Sequence, residues 1–369
     1  MPSYASALAP TPAEHLTRVQ SDLRMGLPCV TAQGATQAVV VAVEPLTQER
    51  LSALRDLFGT PELVLTARRA RAVMTPAAAA DLSDAPVRIA PPEGAGIDWF
   101  RALADPASDR RAGPRGPLHL LRGGEGGLQG FALRLVKSAQ LLPAVLLFAR
   151  PPGATLPAGL DLSRIEVTQD RFAPPALSPV ASALFPLQAA ESGRLHVFRD
   201  PTGAREHYAL EIGTPDRSLP VLSRLHSACF TGDVLGSLKC DCGPQLRAAL
   251  AQMGDAGAGV LLYLNQEGRG IGLANKMRVY DLQAQGFDTV EANHRLGFED
   301  DERDFRIAAV MLRRLGFSAV RLLTNNPAKV QVFRAEGISI TEQLPLRVGR
   351  NAHNSGYLAT KALKSGHAL

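Results

Sequence analysis

The sequence has no apolar run approaching the ~20 residues needed to cross a bilayer, so no membrane partner is expected. It also lacks a strong charge of one sign. Its 369 residues carry 40 Lys and Arg against 35 Asp and Glu, a net charge of +5. Split near residue 184, the first part holds 18 basic and 16 acidic side chains and the second the other 22 and 19. Neither half has the basic excess of a nucleic-acid-binding domain, and the mild positive balance suits an enzyme of a polyanionic small molecule. The start, Met1-Pro-Ser-Tyr-Ala, lacks a basic segment followed by an apolar core, so a cytoplasmic protein without a secretory signal is expected. No internal repeat is present. Two familiar metal patterns, H-E-x-x-H and H-x-E with P-C-x-x-C, are missing as well, which excludes those hydrolase and deaminase designs. Cysteine is scarce, with four in the chain: Cys29, Cys229, Cys240 and Cys242. The last three crowd into fourteen residues. In a reducing compartment that favours metal binding or catalysis over disulfides.

What is present is ordinary globular composition, 46% hydrophobic and 20% charged, at a length that suits two domains. Residues 1–170 are rich in Ala, Arg and Pro. Apolar runs predict strands at Ala38–Val43, Leu63–Thr66 and Ala144–Phe148, and amphipathic stretches predict helices around Pro12–Met25, Gln48–Phe58 and Gly130–Gln140. Residues 102–127 read as a Gly-, Arg- and Pro-rich loop. The second half predicts a strand at Gly259–Leu264, a helix from about Gly272 to Gln285, and a helix over Asp304–Leu315 stopped by Gly316. A strand at Val320–Thr324, a helix opening at Pro327 and a strand at Ile338–Thr341 follow. The expected class is α/β, with two mixed α/β domains: 1–171, a Pro-rich linker at 172–187, and 188–369.

The cysteines form C-x10-C-x-C. Cys240 and Cys242 would face the same way in an extended strand, and Gly243-Pro244 reads as a helix start whose N–H groups favour thiolates. Three thiolates describe a zinc site with one open, catalytic position. A structural site completed by His226, or three unrelated buried thiols, are the alternatives. Glu267-Gly-Arg-Gly-Ile-Gly between strand and helix is not a dinucleotide fingerprint, because Leu273 stands where the third glycine belongs. A Gly-rich turn beside Arg269 still suits close approach to a phosphate or base, although a plain turn would look the same. Glu299-Asp-Asp-Glu-Arg-Asp304 is either an acidic helix cap or a general base with an arginine phosphate contact. Thr324-Asn-Asn-Pro-Ala-Lys329 is a strand end, turn and helix start of the kind that binds anions, and equally an ordinary turn.

Together these segments resemble one family. His226-Ser-Ala-Cys-Phe-Thr-Gly-Asp, Ser237-Leu-Lys-Cys-Asp-Cys-Gly, Gln266-Glu-Gly-Arg-Gly-Ile-Gly-Leu, Thr289-Val-Glu-Ala-Asn, Asp301-Glu-Arg-Asp-Phe and Leu323-Thr-Asn-Asn-Pro are similar, in order and spacing, to GTP cyclohydrolase II over about residues 190–369. The resemblance implies a riboflavin-pathway enzyme that removes C8 of GTP as formate and two phosphates as pyrophosphate. It implies one Zn2+ per chain on Cys229, Cys240 and Cys242, and Mg2+ with the GTP triphosphate. It places GTP against Arg224, Leu225, His226, Ser227, Ala228, Gln245, Glu267, Gly268, Arg269, Tyr280, Thr289, Thr324 and Lys329. Asp301 takes the role of proton acceptor, and Arg303 the position the family assigns to a nucleophile on the α-phosphorus. A homodimer is implied too. Leu264-Asn265 departs from the family pattern, which usually has arginine at the second place.

The first half resembles dihydroxybutanone phosphate synthase, through Val40-Val-Ala-Val-Glu-Pro-Leu-Thr-Gln-Glu-Arg-Leu, Leu65-Thr-Ala-Arg-Arg-Ala and Leu135-Val-Lys-Ser-Ala-Gln-Leu-Leu-Pro-Ala. The synthase's acidic loop falls on Val30-Thr-Ala-Gln-Gly-Ala-Thr-Gln-Ala, which has no carboxylate. Its G-H-T-E falls on Gly127-Leu-Gln-Gly130. Hard cations need oxygen ligands, so a degenerate, non-catalytic domain is expected. A relative acting on another nucleotide, or a nucleotide-binding regulator without turnover, are the competing functions.

Overall fold

The computed structural model describes residues 8–109, 117–122, 127–168, 172, 176–200 and 205–356. The first half contributes α1 (Pro12–Arg24), β1 (Cys29–Gln33), β2 (Thr36–Ala42), α2 (Gln48–Phe58), β3 (Glu62–Leu65) and α3 (Ala67–Val73). After these come α4 (Pro76–Ala79), β4 (Val87–Ala90), α5 (Ile97–Ala104), β5 (His119–Leu120), α6 (Gly127–Ser138), β6 (Ala144–Arg150) and β7 (Arg164–Glu166). The second half begins with an antiparallel run, β8 (Ser178–Leu187), β9 (Ala190–Arg199) and β10 (Glu206–Ile212). It continues through β11 (Val221–Ser227), α7 (Cys242–Asp255), β12 (Gly259–Leu264), α8 (Leu273–Ala284) and α9 (Thr289–Leu296). It closes with α10 (Arg306–Arg314), β13 (Ala319–Leu323), α11 (Pro327–Ala335) and β14 (Ser339–Leu344).

Contacts divide the chain into two compact units. One runs to Ala173 and also takes in Ala274–Phe287 and Glu291–Asp300. The other holds Pro174–Leu273, Asp288–Val290 and the chain from Asp301 onward. Each unit is built on a mixed seven-stranded sheet, so the α/β class holds for both.

The first sheet has the order β5-β4-β3-β6-β2-β1-β7. Both of its faces are covered, and β2 shows why: Val39 and Val41 enter one core with α2 and α5, while Ala38, Val40 and Ala42 enter the other with α1 and α6. Such a strand reads as a continuous apolar run rather than an alternation. Thr11 and Glu14 start α1 with a reciprocal cap, their backbone N–H groups donating to each other's side chains at 2.6 and 3.3 Å.

The stretch 102–127, expected to be loop, holds more structure than its composition suggests. It begins inside α5, makes a short 3-10 turn at Pro106–Ser108 capped by Asp105, and contains β5, which pairs with β4. Residues 110–116 and 123–126 lie outside the described residues. The expected linker, 172–187, contains all of β8, which pairs with β9 through Ser178, Pro179, Ala181–Phe185 and Leu187, with register shifts at Val180 and Pro186. The helix expected from Asp304 begins instead at Arg306: the Asp304 carboxylate turns back to accept the Arg306 N–H at 3.0 Å, a local bond that competes with helical geometry at Asp304 itself. The last strand starts at Ser339 and runs on to Leu344.

The second sheet has the order β14-β13-β11-β12-β10-β9-β8. Its β11–β14 portion is parallel and the rest antiparallel, with β8 at the edge. Along β12, Val260, Leu262 and Leu264 pack with α10 and α11, while Leu261 packs with α7 on the other face. From β11 the chain crosses to β12 on one side, then passes back over to β13 on the other. Strand order therefore reverses at β11. In an open parallel sheet, ligands bind beyond the carboxyl ends of the strands at such a reversal.

Candidate active site and metal centre

The carboxyl ends of β11, β12 and β13 release the three segments singled out in the sequence. From β11 the chain turns at Cys229 into a single π-helical turn, Phe230–Val234, and returns through Cys240 to open α7 at Cys242. The extended Cys240-Asp-Cys242 expected from the sequence is not formed: Cys240 lies in a turn and Cys242 is already the first helical residue. The three thiols meet all the same, their sulfurs within 4.8 Å of one another. His226 does not join them. Its Nε2 faces the Asp233 carboxylate at 3.1 Å, and neither ring nitrogen belongs to the group of ligand atoms within 4.8 Å of one another, so the closed four-ligand site is not formed.

The donor set fits zinc. Thiolates arranged tetrahedrally at about 2.3 Å from zinc stand about 3.8 Å apart, and the Cys229 and Cys240 sulfurs are 3.8 Å apart. The cradle depends on Gly232. A Cβ there would lie 2.5 Å from the Cys240 sulfur and 3.1 Å from both the Cys229 sulfur and the Cys242 Cβ. Behind it, Gly243 backs onto the Gly232 carbonyl so closely that a Cβ on Gly243 would stand 2.1 Å from that oxygen. Two glycines thus let the turn and the helix start approach each other. Asp233 supports this loop from beneath. It accepts the Cys229 N–H at 3.0 Å and the Tyr263 hydroxyl at 2.9 Å besides facing His226. Neither Asp233 nor Tyr263 stood out in the sequence, although Asp233 ends the first motif quoted above.

Beside the thiols lies a group of buried cations. Arg224 on β11 donates to the Leu323 carbonyl at 2.9 Å and to the Gln245 side-chain oxygen, and Gln245 donates to Asp241 at 2.6 Å. Lys329 on α11 donates to the Leu225 carbonyl at 2.7 Å. Among the described residues neither cation has a carboxylate partner, and the Arg224 Nε is buried without an acceptor. Burial lowers the Arg224 pKa to about 10 and takes Lys329 well below the ordinary lysine value, with Arg224 and Arg303 pushing Lys329 further down. Buried positive charge held by neutral acceptors favours the arrival of an anion.

Arg303 grips Asp301 in a fork, Nε to Oδ1 at 2.8 Å and Nη2 to Oδ2 at 2.6 Å, and its Nη1 reaches Ser227 at 3.3 Å. Burial alone would raise the Asp301 pKa, but Arg303, its hydrogen bonds and Arg269 outweigh it and hold the carboxyl below the ordinary value. Asp301 is therefore ionised and able to accept a proton. The Glu267–Gly270 turn packs against this segment. Arg269 has the left-handed φ of 59° that non-glycine residues seldom adopt, and its carbonyl accepts the Glu302 N–H at 3.0 Å. Glu267 accepts the Phe230 N–H at 2.6 Å and the Gly268 N–H at 2.9 Å, tying the turn to the cysteine loop. Thr324 accepts the Asn326 N–H at 3.1 Å, and Asn326 caps α11.

These bonds bring together Arg224–Ala228, Gln245, Glu267–Arg269, Asp301, Arg303, Lys329 and the cysteines, while Thr324, at the end of β13, bonds within its own turn and to β14. Thr289 opens α9 and is buried. Tyr280 lies on α8 in the first unit, with the Lys276 ammonium 5.7 Å from its ring centroid. The departure at Asn265 has a local use: its side chain donates to the Glu206 carbonyl at 2.6 Å, and its N–H to His207 at 3.1 Å. No helix among the described residues is long and apolar enough to cross a membrane.

The family model for GTP cyclohydrolase II matches residues 179–345. A protein from Azospirillum brasilense named GTP cyclohydrolase-2 is 41% identical over 350 residues, covering 91% of this chain and 89% of that protein. One of the same name from Azotobacter vinelandii is 58% identical over 175 residues, 47% of this chain and 84% of its own length. Among solved structures, a two-domain 3,4-dihydroxy-2-butanone 4-phosphate synthase from A. baumannii aligns over 90% of this chain and 99% of its own, at 14% identity and a TM-score of 0.30.

Proposed function

The chain belongs to the GTP cyclohydrolase II family, and we propose that it is a cytoplasmic, homodimeric enzyme that opens the imidazole ring of GTP with zinc and magnesium. The products are formate, pyrophosphate and a diaminopyrimidinone ribosyl phosphate, and the step opens riboflavin synthesis. The observation that carries this reading is the meeting, beyond one set of parallel strand ends, of the three thiols, the ionised Asp301 and the buried Arg224 and Lys329.

Cys229, Cys240 and Cys242 would hold the zinc, which when bound supplies a Lewis acid and an activated water at neutral pH. The remaining work falls to the chain's own groups. Arg224 and Lys329 receive triphosphate oxygens, which stabilise the positive charge that burial disfavours. Magnesium bound to the triphosphate would neutralise the charge that these side chains leave uncompensated. Asp301 accepts the proton released on hydrolysis. Arg303 has Nε and Nη2 committed to Asp301, which supports an electrostatic clamp on the α-phosphate over a guanidinium nucleophile, since its pKa disfavours a neutral form. Thr324 and the strained Gly268–Arg269 turn line the approach.

The first half has no synthase activity in this reading. The two stretches that fall on the synthase's acidic segments do meet: a Cβ on Gly127 would lie 2.5 Å from the Gln33 side-chain oxygen. What meets there is a neutral amide and a glycine. The test of the whole reading is incubation with GTP and magnesium, with formate and pyrophosphate assayed in parallel. Equimolar release of both is expected; release of neither would refute it.

A further inference from the structure

The acidic segment that ends at the proposed proton acceptor is fastened from the first half of the chain. All the bonds concerned lie within the first compact unit, which includes Glu291–Asp300. Its anchor is Thr66–Arg69, the cap and first turn of α3. Thr66 donates its hydroxyl to the Gly297 carbonyl at 2.9 Å. Arg69, fully buried, donates to the Arg295 carbonyl at 2.9 Å while its fork holds Asp109 at 2.8 and 2.9 Å. Arg68 donates Nε to Glu299 at 2.7 Å, and its Nη1 lies 3.2 Å from His294 Nδ1.

Arginine can only donate, so His294 Nδ1 accepts and its Nε2 carries the proton. That proton is given to Asp300, 2.6 Å away. One guanidinium therefore fixes two successive carboxylates, Glu299 directly and Asp300 through the imidazole. The next residue in the chain is Asp301, and Arg303 follows two later. Gly297 supplies an independent sign that this contact is built. At its φ of +90°, a Cβ would stand 2.7 Å from the Thr66 hydroxyl and 2.8 Å from Pro143, so only glycine lets the segment come this close.

We propose that Arg68 is a positioning residue for the Asp301–Arg303 pair, and that the first half of the chain serves turnover by holding segment 294–300 in place. The inference rests on the functional reading above. Arg68 and Glu299 are partly exposed, at 32% and 50% of their side-chain surface, so their pair stabilises the fold little. Its removal tests position rather than folding, whereas loss of the buried Arg69 would disturb both.

The experiment uses the full chain, with Arg68→Ala, Arg68→Lys and Glu299→Gln, measuring formate release against GTP concentration and the melting temperature. A displacement of about 1 Å in a reacting group can cost about 100-fold; for a strained but intact loop we expect Arg68→Ala to lower kcat roughly 10-fold. KM and melting temperature should stay close to wild type. Arg68→Lys, which can pair with Glu299 but cannot also reach His294, should recover part of the loss, and Arg68→Ala combined with Glu299→Gln should be no worse than the first change alone. An active wild type with an equally active Arg68→Ala would overturn the inference and leave the functional reading standing. So would a fall in kcat matched in both Arg68→Ala and Glu299→Gln by lost folded protein. A wild type that releases no formate overturns the reading, and the inference with it.

Discussion

Replacing Gly232 by alanine separates metal binding from folding. Ordinary non-bonded contacts fall at about 3.5–4.0 Å, so a Cβ placed 2.5 Å from the Cys240 sulfur and 3.1 Å from that of Cys229 is about 1 Å too close to the first and crowds the second. Zinc–thiolate bonds near 2.3 Å tolerate shifts of roughly 0.2 Å. The sulfurs can escape by rotating about Cα–Cβ, but then they leave the cluster. Gly232 is not among the glycines with left-handed φ, and alanine is favoured over glycine in a helical turn by roughly 0.5–1 kcal/mol. The metal-free variant should therefore fold about as well as the parent, that gain being set against the 3.1 Å approach to the Cys242 Cβ, which no side-chain rotation relieves. Its zinc affinity should fall by 10-fold to 100-fold or more, the cost of disturbing groups around a metal. The assay is zinc competition with a chromophoric chelator, paired with melting curves. Zinc at 100 times its dissociation constant stabilises a binding protein by about 2.7 kcal/mol, and in the variant that gain should shrink to about 1.4 kcal/mol for a 10-fold loss of affinity and about 0.4 kcal/mol for a 100-fold loss. Wild-type zinc affinity in Gly232→Ala would refute the account of the cradle.

Three further outcomes are expected. Cys229→Ser should stop formate release while sparing some pyrophosphate release, whereas Arg303→Ala should lose both; a normal pyrophosphate yield from Arg303→Ala rules out its place at the α-phosphorus. Lys329 has a depressed pKa when buried alone, so a bound triphosphate should raise it: GTP binding should take up protons in the alkaline range and weaken as pH rises through the lysine's pKa in the complex. Calorimetry in buffers of different ionisation enthalpy measures this, and no uptake from the wild type, or undiminished uptake from Lys329→Met, counts against it. Finally, ribulose 5-phosphate and magnesium should yield no dihydroxybutanone phosphate, and detectable product would show a second active site.

The site was legible in the sequence where chemistry is local. Cys229, Cys240, Cys242, Glu267–Arg269, Asp301 and Lys329 stand at strand ends and turns, and the residue types themselves signal metal and anion binding. Less legible was what depends on distant partners. Asp233 looks like any loop aspartate until His226, Tyr263 and the Cys229 N–H converge on it. Arg68 looks like a surface arginine, and its partners lie more than 220 residues away. Among the elements, buried strands such as β2 and β12 show as apolar runs. By contrast, β8, β9 and β10 are short of such runs: β8 is exposed along nearly its whole length, β9 is largely half-buried, and β10, though mostly buried, is interrupted by His207, Tyr208 and Glu211. Segment 172–187 illustrates the effect. Its prolines signal a linker, yet pairing with β9 makes most of it a strand.

That strand has a bearing on solubility. β8 is the outermost strand of its sheet, exposed along nearly its whole length, with Val180, Leu184 and Phe185 open to solvent. A long apolar edge invites another chain to add itself, the first step toward cross-β aggregation. Here Pro179 and Pro186 each remove a backbone donor, and the register with β9 slips beside both. Between the prolines lie six residues, Val180–Phe185, but Val180 sits at the first slip, so the run that keeps one register is Ala181–Phe185, five residues, one short of the roughly six that a steric zipper stacks in register. The prolines that disguise this strand in the sequence are thus the gatekeepers that keep its edge from recruiting neighbours.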